Sequence, residues 1–454
     1  MILSTILLVS LLLASSISQS TALRRPSKNA CGVKCTTVFD NEDDVFDAVG
    51  SDDFSQIGTW CFSKNVKNFT FLFYNQTTFN EDISCWDVSH ITTMQSMFTY
   101  AAAFNQSIGK WNTKRVTDMS LMFDGAESFN QPIGSWNTKS VTDMSGMFYG
   151  AKTFNQPIGK WNTERVTDMH LMFVDASAFN QRIGKWNTER VTDMRSMFTA
   201  AKAFNQPIGK WNTKRVTDMS FMFSGAYNFN QPIGKWNTRS VTTFSGMFNE
   251  AESFNQNIGE WNTKSVTDMS AMFFGADAFN QPIGKWNTNA VTNMRSLFYR
   301  AKVFNQPIAK WNTEGVTDMS LMFYGADAFN QPVGNWNTKG VTTMTWMFRS
   351  ADNFNQPIGA WNTESVSDMS SMFSFAKAFN QPIGNWNTTR VTNMNAMFAD
   401  ATAFNQDLCA WGVAMKARNT TVVGVFARSN CTSTEDPIYA NTPVSPLCKA
   451  SCVA

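Results

Sequence analysis

The sequence predicts an α/β repeat solenoid, with short parallel strands on one side, short helices on the other and a disulfide-bearing cap at each end. Three observations carry that expectation. Fourteen tryptophans, from Trp86 through Trp111 and Trp136 to Trp411, stand at a strict spacing of 25 residues without one insertion. Other columns repeat in the same phase. All eight cysteines lie outside the regular stretch, four before position 86 and four after position 408. A period of this size marks stacked units that bury their apolar faces against one another.

The unit Phe104 to Ser128, FNQSIGKWNTKRVTDMSLMFDGAES, shows how one coil is encoded. Its near-fixed apolar positions are Phe104, Ile108, Trp111, Val116, Met119, Met122, Phe123 and Ala126. The last four stand at i, i+3, i+4 and i+7, which predicts a helix of about two turns over 118–127, capped by Asp118 or Thr117 and loosened at its end by Gly125. The β-branched residues of Trp111 to Thr117 read as a short strand with Val116 directed inward. Stacked in parallel, thirteen such coils would extend roughly 60–65 Å. Proline in the column of Pro132 suits the turn after Phe-Asn-Gln.

The ends divide the chain into a signal peptide at 1–22, an N-terminal cap at 23–78 that contains a decayed repeat, thirteen repeats over 79–403, and a C-terminal cap at 404–454. The apolar run Ile2 to Ala14 is too short for a bilayer span and fits a secretory leader, although no Lys or Arg precedes it. No later segment is long and apolar enough to insert. In an oxidising compartment, Cys31, Cys35, Cys61 and Cys85 form one disulfide set, and Cys409, Cys431, Cys448 and Cys452 another. A solenoid holds its ends apart, so pairing is confined to each cap, with three connectivities open at each end. The acidic stretch Asp40 to Asp47 reads as a capping helix with Val45, Phe46 and Val49 inward.

The string FNQPIGxWNTxxVTDMSxMFxGAxx resembles the 25-residue leucine-rich-repeat variant of BspA-type bacterial surface proteins. That variant also occurs in mycoplasma surface lipoproteins and in secreted proteins of single-celled eukaryotes. The resemblance covers Phe79 to Ala403 and extends in worn form over Phe54 to Thr78. It implies a leucine-rich-repeat-like solenoid, secreted or held at a cell surface, engaged in adhesion or other protein contacts. The lipidated cysteine of the bacterial lipoproteins has no counterpart after the leader.

Repeat columns are scaffold before they are sites. The Asn column, Asn80 to Asn405, reads as a buried amide ladder between coils. Methionine columns through Met94 and Met97 yield only to Phe244 and Leu297, so they read as core. The recurring Asp118, Asp143, Asp168, Asp193 and Asp218 read as helix caps offset by Arg115, Arg165, Arg190 and Arg215, in preference to calcium ligands. Two threonine ladders, from Thr113 and from Thr117, raise an ice-binding surface, but variable charged residues separate them. Only His90 and His170 exist, in different columns, and neither has a nucleophile at a triad-like spacing. The chain is therefore read as a non-enzyme with no cofactor and no metal.

Function would be written where copies differ. Phe274, Tyr299 and Tyr324 share one outward column in successive coils, with Trp346 one turn away and Arg300 and Arg349 nearby, the residue types that interfaces favour. Arg165, Arg190 and Arg215, with Lys160, Lys185, Lys210 and Lys235, form a basic stripe that later coils lose, and an anionic glycan is a partner for it. Net charge is only +2, from Lys+Arg 37 against Asp+Glu 35, so no global field points to nucleic acid or to an anionic membrane. Sequons at Asn68, Asn419 and Asn430 are glycosylation candidates, whereas Asn105 belongs to the ladder. The expected function is a secreted or cell-surface interaction or adhesion protein binding a protein or a glycan through its variable columns, with a structural or protective matrix or wall component as the alternative. Ligand, oligomeric state and connectivity within each cap stay open.

Overall fold

A computed structural model describes residues 26–437 and 447–448. The predicted leader and Cys452 lie outside the described residues. Coil stacks on coil through a ladder of parallel one-residue β-bridges, beginning with Asn68↔Thr93 and Thr93↔Asp118 and ending with Asn393↔Thr421. Each rung sits where Val116 turns inward and Asp118 outward. The strand expected over Trp111 to Thr117 is thus replaced by a single bridge at Asp118, one residue beyond it. The backbone before it turns instead, with the Val116 N–H donating to the Thr113 carbonyl at 3.0 Å.

The predicted helix over 118–127 is absent, and with it the helical side of the α/β architecture. Two hydrogen-bond sets replace it. Met122, Asp124 and Ala126 donate to the carbonyls of Met119, Leu121 and Phe123, three residues back, at 3.1–3.3 Å. The intervening N–H groups of Met119, Leu121, Phe123 and Gly125 donate to Asp143, Ser145, Met147 and Tyr149 of the next coil at 2.7–3.2 Å. Leu121 (φ 55) and Gly125 (φ 66) occupy the left-handed region. The segment is thus a run of overlapping tight turns rather than a helix, with positive φ at the third residue of alternate turns. Positive φ every fourth residue frees alternate donors to point along the solenoid axis. Spacing of i, i+3, i+4 and i+7 still brings Met119, Met122, Phe123 and Ala126 to one side, and all four are fully buried. The inward face was right and the backbone that produces it was not.

The core is a set of continuous aromatic stacks. Trp111 lies 6.4 Å from Trp136 with rings within 3° of parallel, and Phe123 packs 3.9 Å from Phe129 and 5.7 Å from Phe148. Every indole N–H from Trp86 to Trp386 donates to a carbonyl of an earlier coil, as Trp211 does to Ile183 at 3.2 Å. A buried tryptophan is stabilised only when that donor is satisfied. Glycine recurs in the column of Gly109 because a Cβ there would sit 2.1 Å from the Pro132 carbonyl oxygen of the next coil.

Regular elements belong to the caps. Strand β1 (Thr37–Phe39) pairs in parallel with β2 (Trp60–Phe62), and α1 (Glu42–Gly50) lies between them in sequence. Asn41 caps α1 by accepting the Asp44 N–H, and Val45 and Val49 are buried, with Phe46 partly so. Trp60 stacks on Trp86 at 6.2 Å, continuing the tryptophan column despite its one-place shift. At the other end α2 (Gly412–Arg418) holds the extra residues of a final coil, in which Phe426 takes the place below Phe398 at a separation of 28 instead of 25. Asp436 accepts the N–H groups of Gly424 and Val425, covering donors at the open edge. Disulfides join Cys31 to Cys85, Cys35 to Cys61 and Cys431 to Cys448, each within one cap, and Cys409 is also disulfide-bonded.

Candidate functional site

The run of tight turns directs the columns of Leu121, Asp124 and Gly125 away from the buried face. Two of the three sit at positive φ, where a side chain larger than glycine strains the backbone by about 1–2 kcal/mol. Glycine relieves that strain at seven positions of these two columns, such as Gly146 and Gly125, and the other coils carry a Cβ there. Among the large side chains so placed, Phe221 (φ 55), Trp346 (φ 60) and Phe375 (φ 60) are 41%, 41% and 37% exposed.

These columns bring the predicted aromatic residues together. Phe274 stacks on Tyr299 at 4.1 Å, Tyr299 on Tyr324 at 4.6 Å, and Tyr324 meets Trp346 at 6.0 Å. Arg300 lies 5.4 Å from the Tyr299 ring centre and 5.9 Å from that of Tyr324. Arg349 lies 5.3 Å from Trp346 and 5.0 Å from Phe375, and it donates to Ser374 Oγ at 3.1 Å. The result is a row of four contacting rings, which Arg349 links to a fifth, Phe375. Phe375 was missed from sequence. It lies in the column of Gly125 and Arg300, which the sequence predicts as a helix end, and its place in Arg300's column is the available signal. A second exposed group, Phe71, Tyr74 and Tyr100, lies near the N-terminal cap, with Phe71 to Tyr74 at 5.6 Å and Tyr74 to Tyr100 at 5.9 Å.

The predicted basic stripe divides. Lys160, Lys185, Lys210 and Lys235 line an open groove of about 1650 Å³ between Pro132 and Glu260, together with Arg182 and the Pro-x-Gly segments of successive coils. Arg165, Arg190 and Arg215 are exposed but are not among the groove's lining residues. A smaller groove of about 740 Å³ continues the same columns between Pro332 and Asp407, where Asn335, Ala360 and Asn385 stand in the lysine column.

Most fixed polar columns serve the scaffold. Asn105 Oδ1 accepts the Asn130 N–H at 3.0 Å and Gln131 Nε2 at 3.0 Å, and each coil repeats the arrangement. These asparagines are half-buried rather than fully buried. The Thr113 ladder is buried and donates to the Asn137 carbonyl, while the Thr117 ladder is exposed and donates to Thr92. One of the two threonine rows proposed for an ice-binding face is therefore internal. Both methionine columns are fully buried.

Asp118 caps a turn and not a helix, accepting the Ser120 N–H at 2.9 Å and its hydroxyl at 2.7 Å. Cations that meet this column come from two residues downstream or from a neighbouring coil, not from the arginines three residues upstream. Arg195 is 3.8 Å from Asp193, and Arg295 is 3.4 Å from Asp318. His170 takes the serine's place in its coil, with Nδ1 2.6 Å from Asp168 Oδ1. Ligand atoms of Asp168, His170 and Asp193 lie within 4.8 Å of one another, a juxtaposition not foreseen from the spacing of the two histidines. His90 is buried and its Nε2 is unpaired, and burial lowers its pKa. Asp124 is only 9% exposed, and burial pushes its carboxyl up to about 6. The same carboxylate raises the pKa of the neighbouring Tyr100. Asn68, Asn419 and Asn430 are exposed.

A family model described as "Mycoplasma protein of unknown function, DUF285" matches the chain over residues 40–158, 131–233, 225–335 and 318–435. No curated protein matches. Among solved structures, one match is titled "Crystal structure of TLR13-ssRNA13 complex", with 11% identity over 87% of this chain and 60% of that one and a TM-score of 0.21. The chain thus spans about three fifths of that protein's length.

Proposed function

The chain belongs to the DUF285 family, and on that premise we propose that it is a non-enzymatic extracellular interaction protein, binding a protein partner through its outward turn columns. The row from Phe274 to Phe375 carries this reading. Four contacting rings and Phe375, with Arg300 and Arg349 across them, concentrate on outward columns that many other coils finish with glycine, serine or alanine. Trp346 and Phe375 also leave apolar area in water on strained turns. Aromatic residues and arginine dominate the energetic centres of protein interfaces because they bury large areas with few rotors to freeze. Disulfides in both caps fit an oxidising compartment. Among the described residues no helix is long and apolar enough to cross a membrane. The predicted leader, the exposed sequons and the resemblance to BspA-type surface proteins support secretion or display.

The test is capture from native extracellular medium and cell surfaces by the full chain, compared with the Trp346→Ser/Phe375→Ser variant. The substitutions place a residue that other coils already carry at the Trp346 column, so the coil persists. Saturable binding that falls at least about tenfold in the variant, a change of about 1.4 kcal/mol, supports the reading. Equal binding by both proteins, or incorporation of both into insoluble matrix, overturns it.

A further inference from the structure

We propose that the groove between Pro132 and Glu260 is a binding channel for a linear anionic polysaccharide, recognised through one ammonium group per coil. The proposal stands on the groove and not on the aromatic row, so either can fail alone.

The row is local and uninterrupted. Lys160, Lys185, Lys210 and Lys235 occupy the same position in four successive coils, and Arg182 adds a guanidinium within the run. Parallel backbone pairing sets adjacent coils about 4.7–4.9 Å apart, close to the advance of a chain by one sugar unit. None of the four lysines makes an ion pair among the described residues. Where the row ends, the chemistry changes: Glu260 binds Lys285 at 3.0 Å, and Ser135 donates to the Gly109 carbonyl at 2.7 Å. Four like charges at coil spacing repel one another, and a ligand carrying regularly spaced anions removes that repulsion.

The fold does not require these lysines. Asn335, Ala360 and Asn385 occupy the same column in the second groove, on the same backbone and over the same buried core. The positions were therefore free to take uncharged side chains, and four successive coils did not.

The lining also selects the class of polyanion. Single-stranded nucleic acid binders stack bases on aromatic side chains, and no aromatic residue lines this groove. Proline rings and the bare backbone at glycine present a shallow floor that suits a sugar face. Gln206, tied to Asn180 Oδ1 at 2.8 Å, is held fixed at the wall. Arg182 offers a planar fork that fits a sulfate or a carboxylate.

The experiment measures binding of the full chain to heparin, to polygalacturonate, to neutral dextran and to polyuridylate across a salt series. A variant with Lys160, Lys185, Lys210 and Lys235 all changed to Gln is compared with a control carrying Lys114, Lys139, Lys214 and Lys264 changed to Gln. The control loses the same charge at exposed lysines that do not line the groove. Circular dichroism establishes that both fold. Expected is binding to heparin or polygalacturonate, the two arms separating sulfate from carboxylate, with little binding to dextran. The groove variant should lose more than about tenfold in affinity and reduce the salt slope by about three to four, while the control stays within about twofold of the parent. Equal losses in the two variants, preference for polyuridylate, or no binding to either acidic polysaccharide would overturn the proposal.

Discussion

The coils between Pro132 and Glu260 and those between Pro332 and Asp407 share one backbone ladder and one set of buried columns, yet the first groove carries four lysines and the second none in the same column. The shared part is fixed by contacts that leave no room for change. Phe198 and Phe373 are both fully buried, and they lie 4.0 and 3.9 Å from the phenylalanines that open the next repeat, Phe204 and Phe379. The differing part lies outside those contacts. Such a solenoid can alter its surface chemistry coil by coil at almost no cost to stability, because outward side chains touch little that neighbouring coils depend on.

The largest effect should come from the interior and should be the same in both stretches. Phe198→Ala and Phe373→Ala should each destabilise by about 3–5 kcal/mol, read as shifted denaturant midpoints. A cost in one stretch only would break the equivalence of the two scaffolds.

The amide ladder should show a difference of position rather than of sequence. Asn205 Oδ1 accepts two donors from the next coil, the Asn230 N–H at 3.0 Å and Gln231 Nε2 at 2.8 Å. Asn205→Ala leaves both half-buried donors unpaired and should cost about 1–3 kcal/mol. At the final rung, Asn405 Oδ1 is buried with no partner among the described residues, so Asn405→Ala should be nearly neutral or stabilising in the same denaturation assay.

Asp124 tests how far outward columns are independent of the fold. Burial raises its folded-state pKa to about 6 from 3.8, so the native state holds a proton that the unfolded chain releases. The group's contribution to stability is full below the unfolded value and lost as pH rises through the folded one. Asp124→Asn should therefore be more stable than the parent at about pH 8, by on the order of 1 kcal/mol after solvent screening, and the gap should close near about pH 4. Thermal melts at the two pH values measure it. A gap that widens on acidification would reverse the assignment.

The smallest effect belongs to the groove. Lys185→Ala should change stability by less than about 0.5 kcal/mol, since its side chain is exposed and makes no ion pair among the described residues. A larger loss in the denaturant midpoint would mean that lysines are part of the scaffold, and the contrast between the two grooves would lose its meaning.

Several readings from sequence survived because they rest on burial, which repeats visibly. Trp111, Val116, Met119 and Phe123 are core, and the described disulfides each stay at one end of the chain. The helix over 118–127 failed because its apolar spacing is shared by a succession of overlapping tight turns. The distinguishing signal was present in part: glycine recurs in two columns four residues apart, at Gly125, Gly150, Gly225, Gly275 and Gly325 and at Gly146 and Gly246, all with positive φ. The aromatic row was legible because three of its members, Phe274, Tyr299 and Tyr324, share a column. Phe375 and the separation of the lysines from Arg165, Arg190 and Arg215 were not, since both depend on which way each turn faces.

By itself, the sequence determined the period, the inward columns and the confinement of cysteine to the ends. Those follow from composition at fixed spacing, a local property of the chain. Only the tertiary structure decided that backbone N–H groups close half their bonds with a coil 24 residues away, as Met119 does with Asp143, instead of within a helix. The reason is that a short segment's intrinsic preference among helix and turns differs by little, whereas a ladder repeated through every coil adds the same cross-coil bonds each time, and their sum selects the backbone.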